Sequence, residues 1–139
     1  MPQLDTYLFF DGNCADAMRF YERTLGGRLE TLMTHAQSPV AAQTPPGSAN
    51  RIMHARLVIG DRVLMASDAM IDQPTGGMKG FSLSLMYTTT AEAKRVFDLL
   101  ADGGRVTMPL QKTFWAEAFG MLVDRFGTPW MVNGPSVQS

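Results

Sequence analysis

One ten-residue segment of this chain occurs twice in similar form. Residues 20–29 read FYERTLGGRL and residues 97–106 read FDLLADGGRV, so a helix-like run ends at Gly-Gly-Arg and an apolar residue both times. A strand-like run precedes each copy and apolar stretches follow it, which is typical of a repeated strand-helix-strand unit. The repeat predicts two similar modules that bury a common core and enclose a cleft, and any binding site is expected in that cleft.

Composition narrows the class of protein. The chain has 139 residues, 45% of them hydrophobic and 18% charged, which suits one globular domain. Its net charge of -1 gives no electrostatic drive toward nucleic acid. We find no apolar run of membrane-spanning length and no charged-then-apolar leader, and the single Cys14 excludes an internal disulfide. We therefore expect a cytoplasmic protein with no nucleic-acid or membrane partner.

The first module is predicted to cover about residues 1–68 in the order βαβββ. A helix is expected over about residues 14–25, capped by Asn13 and ended by Gly26-Gly27. Residues 37–50 carry three prolines and are predicted to form a long mobile loop that acts as a lid. The strands of this module are predicted over residues 4–10, 28–33, 53–59 and 62–66.

The second module repeats this plan. Residues 69–79 are predicted to link the modules, and about residues 80–134 form the second one before a short tail, 135–139. Thr89 fits the start of a capping box for a helix over about residues 91–100. The strands of this module are predicted over residues 81–86, 105–110, 117–124 and 129–133. The fold class is therefore α+β, with two βαβββ modules in a single domain.

Alternation of side chains along the strands assigns residues to faces. The residues expected to face the helices are Leu8, Phe10, Leu83 and Leu85. The residues that alternate with these point to the opposite, concave face, where the candidate pocket is expected. With the aromatic segment added, these candidates are Tyr7, Phe9, His54, Arg56, Met65, Ser82, Ser84, Trp115 and Met131.

Two of the polar candidates have alternative interpretations. His54 and Arg56 share a face of their strand, where they can bind an anionic oxygen or form a polar cluster with Asp68 or Glu117. Cys14 stands at a helix N-terminus, which lowers the pKa of a thiol, but no second cysteine or evident base accompanies it. A packed small side chain is the favoured interpretation of Cys14.

The apolar candidates also have two interpretations. Phe114, Trp115 and Phe119 can line a pocket for a flat ligand, or they can seal the core or a dimer. The chain has eleven methionines, which either fill the core or give a deformable cavity with Met86 and Met131 on its wall.

Several segments carry a family resemblance over nearly the whole chain. They read YLFFDGNC at 7–14, IMHA at 52–55, LMASD at 64–68, MPLQ at 108–111, TFW at 113–115 and DRFGTPWMVN at 124–133. Together they resemble the PhnB-like branch of the vicinal oxygen chelate superfamily, the group of glyoxalase I and the bleomycin-resistance proteins. The resemblance implies paired βαβββ modules in a curved mixed sheet with a concave binding face, usually in a homodimer.

The resemblance also implies where a divalent metal would bind. Enzymes of the superfamily hold it with His, Gln or Glu from the first and last strands of each module. The matching positions of this chain are Tyr7, Met65 (or Leu64 if the hairpin shifts by one), Ser82 and Met131. A phenol, a hydroxyl and thioethers are poor ligands for such cations, so no metal or other cofactor is expected. A rebuilt site with His35, His54 and a carboxylate is the less favoured alternative.

Three functions of different classes follow. The favoured one is a metal-free protein of this superfamily that binds a small organic ligand, as its resistance-type members do. The second is an enzyme, either a metal-dependent lyase, isomerase or dioxygenase with an atypical ligand set, or a metal-free one that uses His54 as acid or base. The third is a dimeric structural or interaction protein whose pocket has closed.

Overall fold

The computed structural model describes residues 1–39 and 41–137 of the chain. It divides into two compact units, Met1–Gly77 and the segment from Met78 onward. Each unit is one α-helix packed on one four-stranded sheet, so the predicted α+β class and the repeated βαβββ order are confirmed. No helix of the described residues is both long enough and apolar enough to cross a membrane.

The first unit has the sheet order β1-β4-β3-β2, with β1 parallel to β4 and the other pairs antiparallel. Its elements are β1 (Thr6–Phe10), α1 (Cys14–Leu25), β2 (Arg28–Thr34), β3 (Ile52–Ile59) and β4 (Arg62–Asp68). The helix lies where the sequence predicts it. The first strand begins at Thr6 rather than at residue 4, because Leu4 is exposed and precedes the pairing with β4, which starts at Thr6.

The second unit has the equivalent sheet order β5-β8-β7-β6. Its elements are β5 (Leu83–Met86), α2 (Thr90–Ala101), β6 (Arg105–Gln111), β7 (Phe119–Val123) and β8 (Pro129–Asn133). Two predicted strands were too long at their start. Phe81 and Ser82 both precede β5, and Phe81 is exposed. Glu117 precedes β7, and its backbone N–H bonds to the carbonyl of Pro135.

The helix-facing side of each sheet forms the core of its unit. In the first unit Leu8 and Phe10 are 3% and 2% exposed, whereas their neighbours Tyr7 and Phe9 are 38% and 54% exposed, which confirms the predicted alternation in β1. In the second unit the buried side chains that build this core from the helix and from the helix-facing side of the two inner strands are Ala93, Val96, Phe97, Leu100, Leu122, Trp130 and Val132.

The repeated Gly-Gly-Arg segments have one structural cause. Gly26 and Gly103, the first glycine of each pair, both have a φ of 77°, a left-handed conformation that favours glycine. Gly26 is the C-cap of α1, whereas Gly103 lies in the turn after α2, where the Gly104 N–H bonds to the carbonyl of Ala101. The second glycine has no room for a side chain: a Cβ at Gly27 would lie 2.6 Å from the carbonyl oxygen of Val58, and one at Gly104 would meet the carbonyl of Val123. The glycine pair lets the chain leave the helix and enter a strand in close contact with the sheet.

Replacing Gly27 with Ala is therefore expected to destabilise the protein. The added methyl group overlaps backbone that cannot move without breaking the β2–β3 pairing, and such overpacking costs about 1–3 kcal/mol. Urea denaturation followed by circular dichroism measures this loss. Arg28→Ala, which truncates the exposed neighbouring side chain, is the control and should lie within about 0.5 kcal/mol of the parent. Equal stability of Gly27→Ala and the parent would contradict the steric account.

The start of α1 differs from the prediction. Asn13 makes no side-chain capping bond. The carboxylate of Asp68 instead accepts the backbone N–H groups of Gly12 (2.9 Å), Cys14 (3.0 Å) and, through its other oxygen, Ile52 (2.8 Å). The distant Asp68 thus supplies the negative charge that a helix N-terminus favours, and it also ties down the start of β3.

A second buried carboxylate organises the most distinctive segment of the sequence. Asp124 accepts the N–H groups of Phe126 (2.9 Å) and Thr128 (3.0 Å), and its other oxygen accepts the indole N–H of Trp130 (2.8 Å). Asp124, Thr128 and Trp130 are all buried. The DRFGTPW segment therefore forms a turn between β7 and β8 that is held by hydrogen bonds to its own first residue.

The predicted lid, residues 37–50, is more ordered than the sequence suggests. Short 3₁₀ turns cover His35–Gln37 and Ala41–Gln43, and backbone bonds join His35 to Arg51 and Ala36 to Ala49. Of this segment Val40 lies outside the described residues. Closure over a ligand stays a prediction.

Candidate functional site

The exposed strand face of the first unit brings three ring side chains together. The Tyr7 hydroxyl lies 3.3 Å from Nδ1 of His54, and the two rings stack with their centroids 5.8 Å apart. On its other side Tyr7 contacts Phe9, with a centroid distance of 5.1 Å. Phe9 is 54% exposed, so the cluster offers an aromatic surface beside a hydrogen-bonding imidazole.

The strand register explains why these residues meet. Tyr7 is paired with Met65 across β1 and β4, and Met65 with Arg56 across β4 and β3. Directly paired residues point to the same face of a sheet, and His54 shares that face with Arg56 because it lies two residues away in the same strand. Five of the predicted candidates, Tyr7, Phe9, His54, Arg56 and Met65, thus share one face.

Arg56 has a partner that the sequence analysis missed. Its Nε lies 3.3 Å from a carboxylate oxygen of Glu30, whose other oxygen accepts from Arg28 at 2.5 Å. Hydrogen bonds from Arg28, and to a smaller extent from Arg56, lower the pKa of the Glu30 carboxyl. The predicted pairing of Arg56 with Asp68 is wrong, because Asp68 points to the helix side and holds backbone N–H groups there. The alternative pairing with Glu117 stays a prediction.

The equivalent face of the second unit is largely apolar. Ser84 is paired with Met131, Met131 with Met121, and Met121 with Met108, so one row of paired residues crosses the whole sheet. The Asn133 side chain donates to the hydroxyl of Ser84 (3.2 Å). Ser84 and Met131 are therefore brought together as predicted. Ser82 precedes the strand, so parity along β5 does not fix its direction.

The aromatic segment before β7 forms a chain of ring contacts. Phe114 and Trp115 are 4.7 Å apart between centroids, and Trp115 and Phe119 are 5.2 Å apart, both edge to face. Phe114 is 88% exposed and Trp115 45%, whereas Phe119 is buried. Trp115 and Phe114 can stack on a flat ligand, and Phe119 holds Trp115 in place.

Cys14 is a core residue. Its side chain is fully buried, and burial, with a smaller contribution from the nearby Asp68 carboxylate, raises the pKa of the thiol far above its ordinary value. The thiol therefore stays protonated and inaccessible, which agrees with the favoured interpretation of a packed side chain.

Native protein is accordingly expected not to react with Ellman's reagent. The thiolate is the reacting form, and both its scarcity and its burial slow the reaction. One thiol per chain should appear only after guanidinium is added, as absorbance at the reagent's thiolate band. Release of one equivalent within seconds from native protein would show that Cys14 is accessible and ionised.

The donor set does not suit a hard or borderline divalent cation. Tyr7 is paired with Met65 in the first unit, but Met131 in the second is paired with Ser84 and not with the predicted Ser82, which precedes β5. These residues offer a phenol, a hydroxyl and thioethers. Among residues 1–39 and 41–137 no group of three or more His, Cys, Asp and Glu side chains is placed to hold a metal ion. His35, part of the alternative set, is buried, and its Nδ1 has no partner among those residues.

A groove of about 800 Å³ lies on the helix side of the second unit. It is formed between α2 and β6, with Phe97, Leu99 and Val106 among its lining. None of the predicted site residues contributes to it. The strand faces and this groove are therefore separate surfaces with different chemistry.

A family profile and a related protein sequence both match nearly the whole chain. The profile of the Glyoxalase/Bleomycin resistance protein/Dioxygenase superfamily matches residues 3–132. Protein YjdN of Escherichia coli (strain K12) is 42% identical over 143 residues, which cover 96% of this chain and 95% of that protein.

Solved structures agree. The crystal structure of protein PA1353 from Pseudomonas aeruginosa superposes with a TM-score of 0.90 at 48% identity, covering 97% of this chain and 98% of that one. The PhnB protein from Bacillus cereus superposes with a TM-score of 0.80 at 24% identity, covering 96% and 99% of the two chains. At that identity the second likeness bears on the fold alone.

Proposed function

Because this chain belongs to the glyoxalase/bleomycin resistance protein/dioxygenase superfamily, we propose that it is a metal-free binding protein for a small organic ligand. The observation that carries the proposal is the hydrogen bond between Tyr7 and His54 on an exposed aromatic strand face. Tyr7 occupies a position where the superfamily resemblance implies a metal ligand, and here its hydroxyl engages an imidazole.

The tautomer of His54 defines what the face offers to a ligand. When the Tyr7 hydroxyl donates to Nδ1, the neutral imidazole carries its proton on Nε2, and no described residue accepts a bond from that nitrogen. An N–H donor is then presented beside the rings of Tyr7 and Phe9. Arg56 adds positive charge nearby, although Glu30 already engages its Nε.

These features define the ligand class. The ligand is mostly apolar, often aromatic, and carries one acidic or carbonyl oxygen that accepts the His54 N–H. The ring surface of Phe9 and the thioether of Met65 receive its apolar part. Binding needs no cation, because the imidazole supplies the polar contact.

The proposal is tested with 1-anilinonaphthalene-8-sulfonate, an aromatic anion that becomes fluorescent in an apolar site. We expect saturable binding to the folded protein. His54→Ala removes a hydrogen bond to a charged oxygen, which is worth about 1.5–3 kcal/mol, so its Kd should rise at least about tenfold. Tyr7→Phe keeps the ring but frees His54, and it should weaken binding less than His54→Ala does.

Met70→Ala is the control, since the Met70 side chain is about as exposed as that of Tyr7 but lies outside the strands. Its Kd should equal that of the parent. Thermal melts of each variant separate a binding effect from unfolding. Equal dye binding by parent and His54→Ala, with both folded, would overturn the proposed site.

We also propose that the protein is a homodimer. Leu99 and Val106 are apolar side chains left 43% and 46% exposed beside the edge strand β6, and a second copy would cover them. Sedimentation equilibrium at micromolar concentration should give twice the chain mass of 15.3 kDa. A stable monomer at that concentration would rule the dimer out.

A further inference from the structure

Three methionines are paired across adjacent strands of the second unit, and the β6–β7 pairing shifts register on either side of the outermost one, Met108. Met108 of β6, Met121 of β7 and Met131 of β8 are directly paired in the sheet register. Paired residues share a face, and it is the face away from α2, because a Cβ on Gly120 next to Met121 would run into the Phe97 side chain of that helix. Met108 is 37% exposed, so solvent reaches the row.

The spacing of the row lets the three sulfurs converge. Neighbouring strands lie about 4.8 Å apart, so Met108 and Met131 flank Met121 at one strand spacing each. A methionine side chain is unbranched and has three rotatable bonds, which allows the outer two to lean toward the central one. Three thioethers around one point form a ligand set that a soft, monovalent cation prefers and that hard or borderline cations reject.

The two units differ at this position. The equivalent row of the first unit, in the same strand order, is Tyr7, Met65, Arg56 and Thr31, which holds a single thioether and a cation. The chain's single thiol, that of Cys14, is fully buried and protonated. Of the two equivalent rows, that of the second unit is the one that holds three thioethers.

We propose that Met108, Met121 and Met131 form a thioether site for a soft monovalent cation of the Cu(I) class. The site stands independently of the ligand proposed above, since it uses no residue of the Tyr7–His54 cluster. The ion is held by sulfur lone pairs alone, with no change of oxidation state and no proton released.

The experiment uses Ag(I), which has the same ligand preference as Cu(I) and is not oxidised or reduced in air. Calorimetric titration of the full chain in nitrate buffer without chloride should give one equivalent. Met121→Leu, which conserves volume but removes the central sulfur, should raise the Kd at least about tenfold. Met65→Leu, the matched change in the first unit, should leave the Kd unchanged.

Methyl-labelled methionine gives a measurement that needs no variant. The chain has eleven methionines, and Ag(I) should shift the methyl resonances of Met108, Met121 and Met131 together at one equivalent. Two results would overturn the proposal. One is an unaltered Kd in folded Met121→Leu; the other is binding that disappears in Cys14→Ala while the three methyl signals stay in place.

Discussion

Replacing Leu8 with Asp is expected to abolish cooperative folding at room temperature. Leu8 is 3% exposed and lies on the helix-facing side of β1, paired with the buried Ala66. A carboxylate there is buried without a partner, and the lost apolar burial adds to a desolvation cost of several kcal/mol. That sum is comparable to the whole stability of a domain of this size, about 5–15 kcal/mol. Circular dichroism should show no sigmoidal thermal transition.

Phe9→Asp is the matched control, because it places the same charge one residue along the same strand. Phe9 is 54% exposed and points to the opposite face, so a carboxylate remains hydrated there. A cooperative transition should persist, within about 1 kcal/mol of the parent. If Phe9→Asp were as damaging as Leu8→Asp, the assignment of strand faces would be wrong, and the candidate site with it.

Replacing Asp68 with Ala is expected to destabilise the protein strongly while leaving it able to fold. Its carboxylate accepts from the backbone of Gly12, Cys14 and Ile52, and the substitution leaves all three N–H groups without that acceptor. An unsatisfied buried donor costs about 1–3 kcal/mol, so we expect a loss of about 3 kcal/mol or more. The melting temperature should fall by about 10 °C.

Asp61→Ala provides the comparison for Asp68→Ala. The Asp61 side chain is 95% exposed and its contact with Arg62 is a surface ion pair of 3.8 Å, which contributes little. Its melting temperature should match that of the parent. A similarly small effect of Asp68→Ala would show that water or a neighbouring group satisfies those N–H groups equally well.

Features governed by local rules were predictable from the sequence. The bounds of α1 follow from apolar spacing and from the glycines that end it, and the alternation of β1 follows from the pleat. The Gly-Gly-Arg repeat predicted the duplicated βαβββ order because both copies meet the same steric demand at Gly27 and Gly104. A steric demand of this kind restricts which residue type can occupy a given position, so it is visible in the sequence.

Features that depend on distant partners were not predictable. The cap of α1 comes from Asp68, 54 residues after Cys14, so the local Asn13 was the natural but wrong choice. The Arg56–Glu30 pair joins residues 26 positions apart in the chain and depends on how β2 and β3 align, which alternation within a single strand does not reveal.

The two modules keep one backbone plan while their exposed strand faces differ. The first unit presents a ring cluster with an imidazole, and the second presents a row of thioethers. Residues exposed on these faces contribute little to the core. Specificity for a ligand is therefore expected to reside in these faces, whereas the repeated glycines and buried carboxylates maintain the fold.

Native mass spectrometry of freshly purified protein, with the aromatic anion added, tests metal-free ligand binding most directly. We expect chains without zinc, nickel or manganese and one bound anion per chain, with the anion complex depleted in His54→Ala. Near one equivalent of such a metal per chain, lost together with anion binding in His54→Ala, would contradict this expectation.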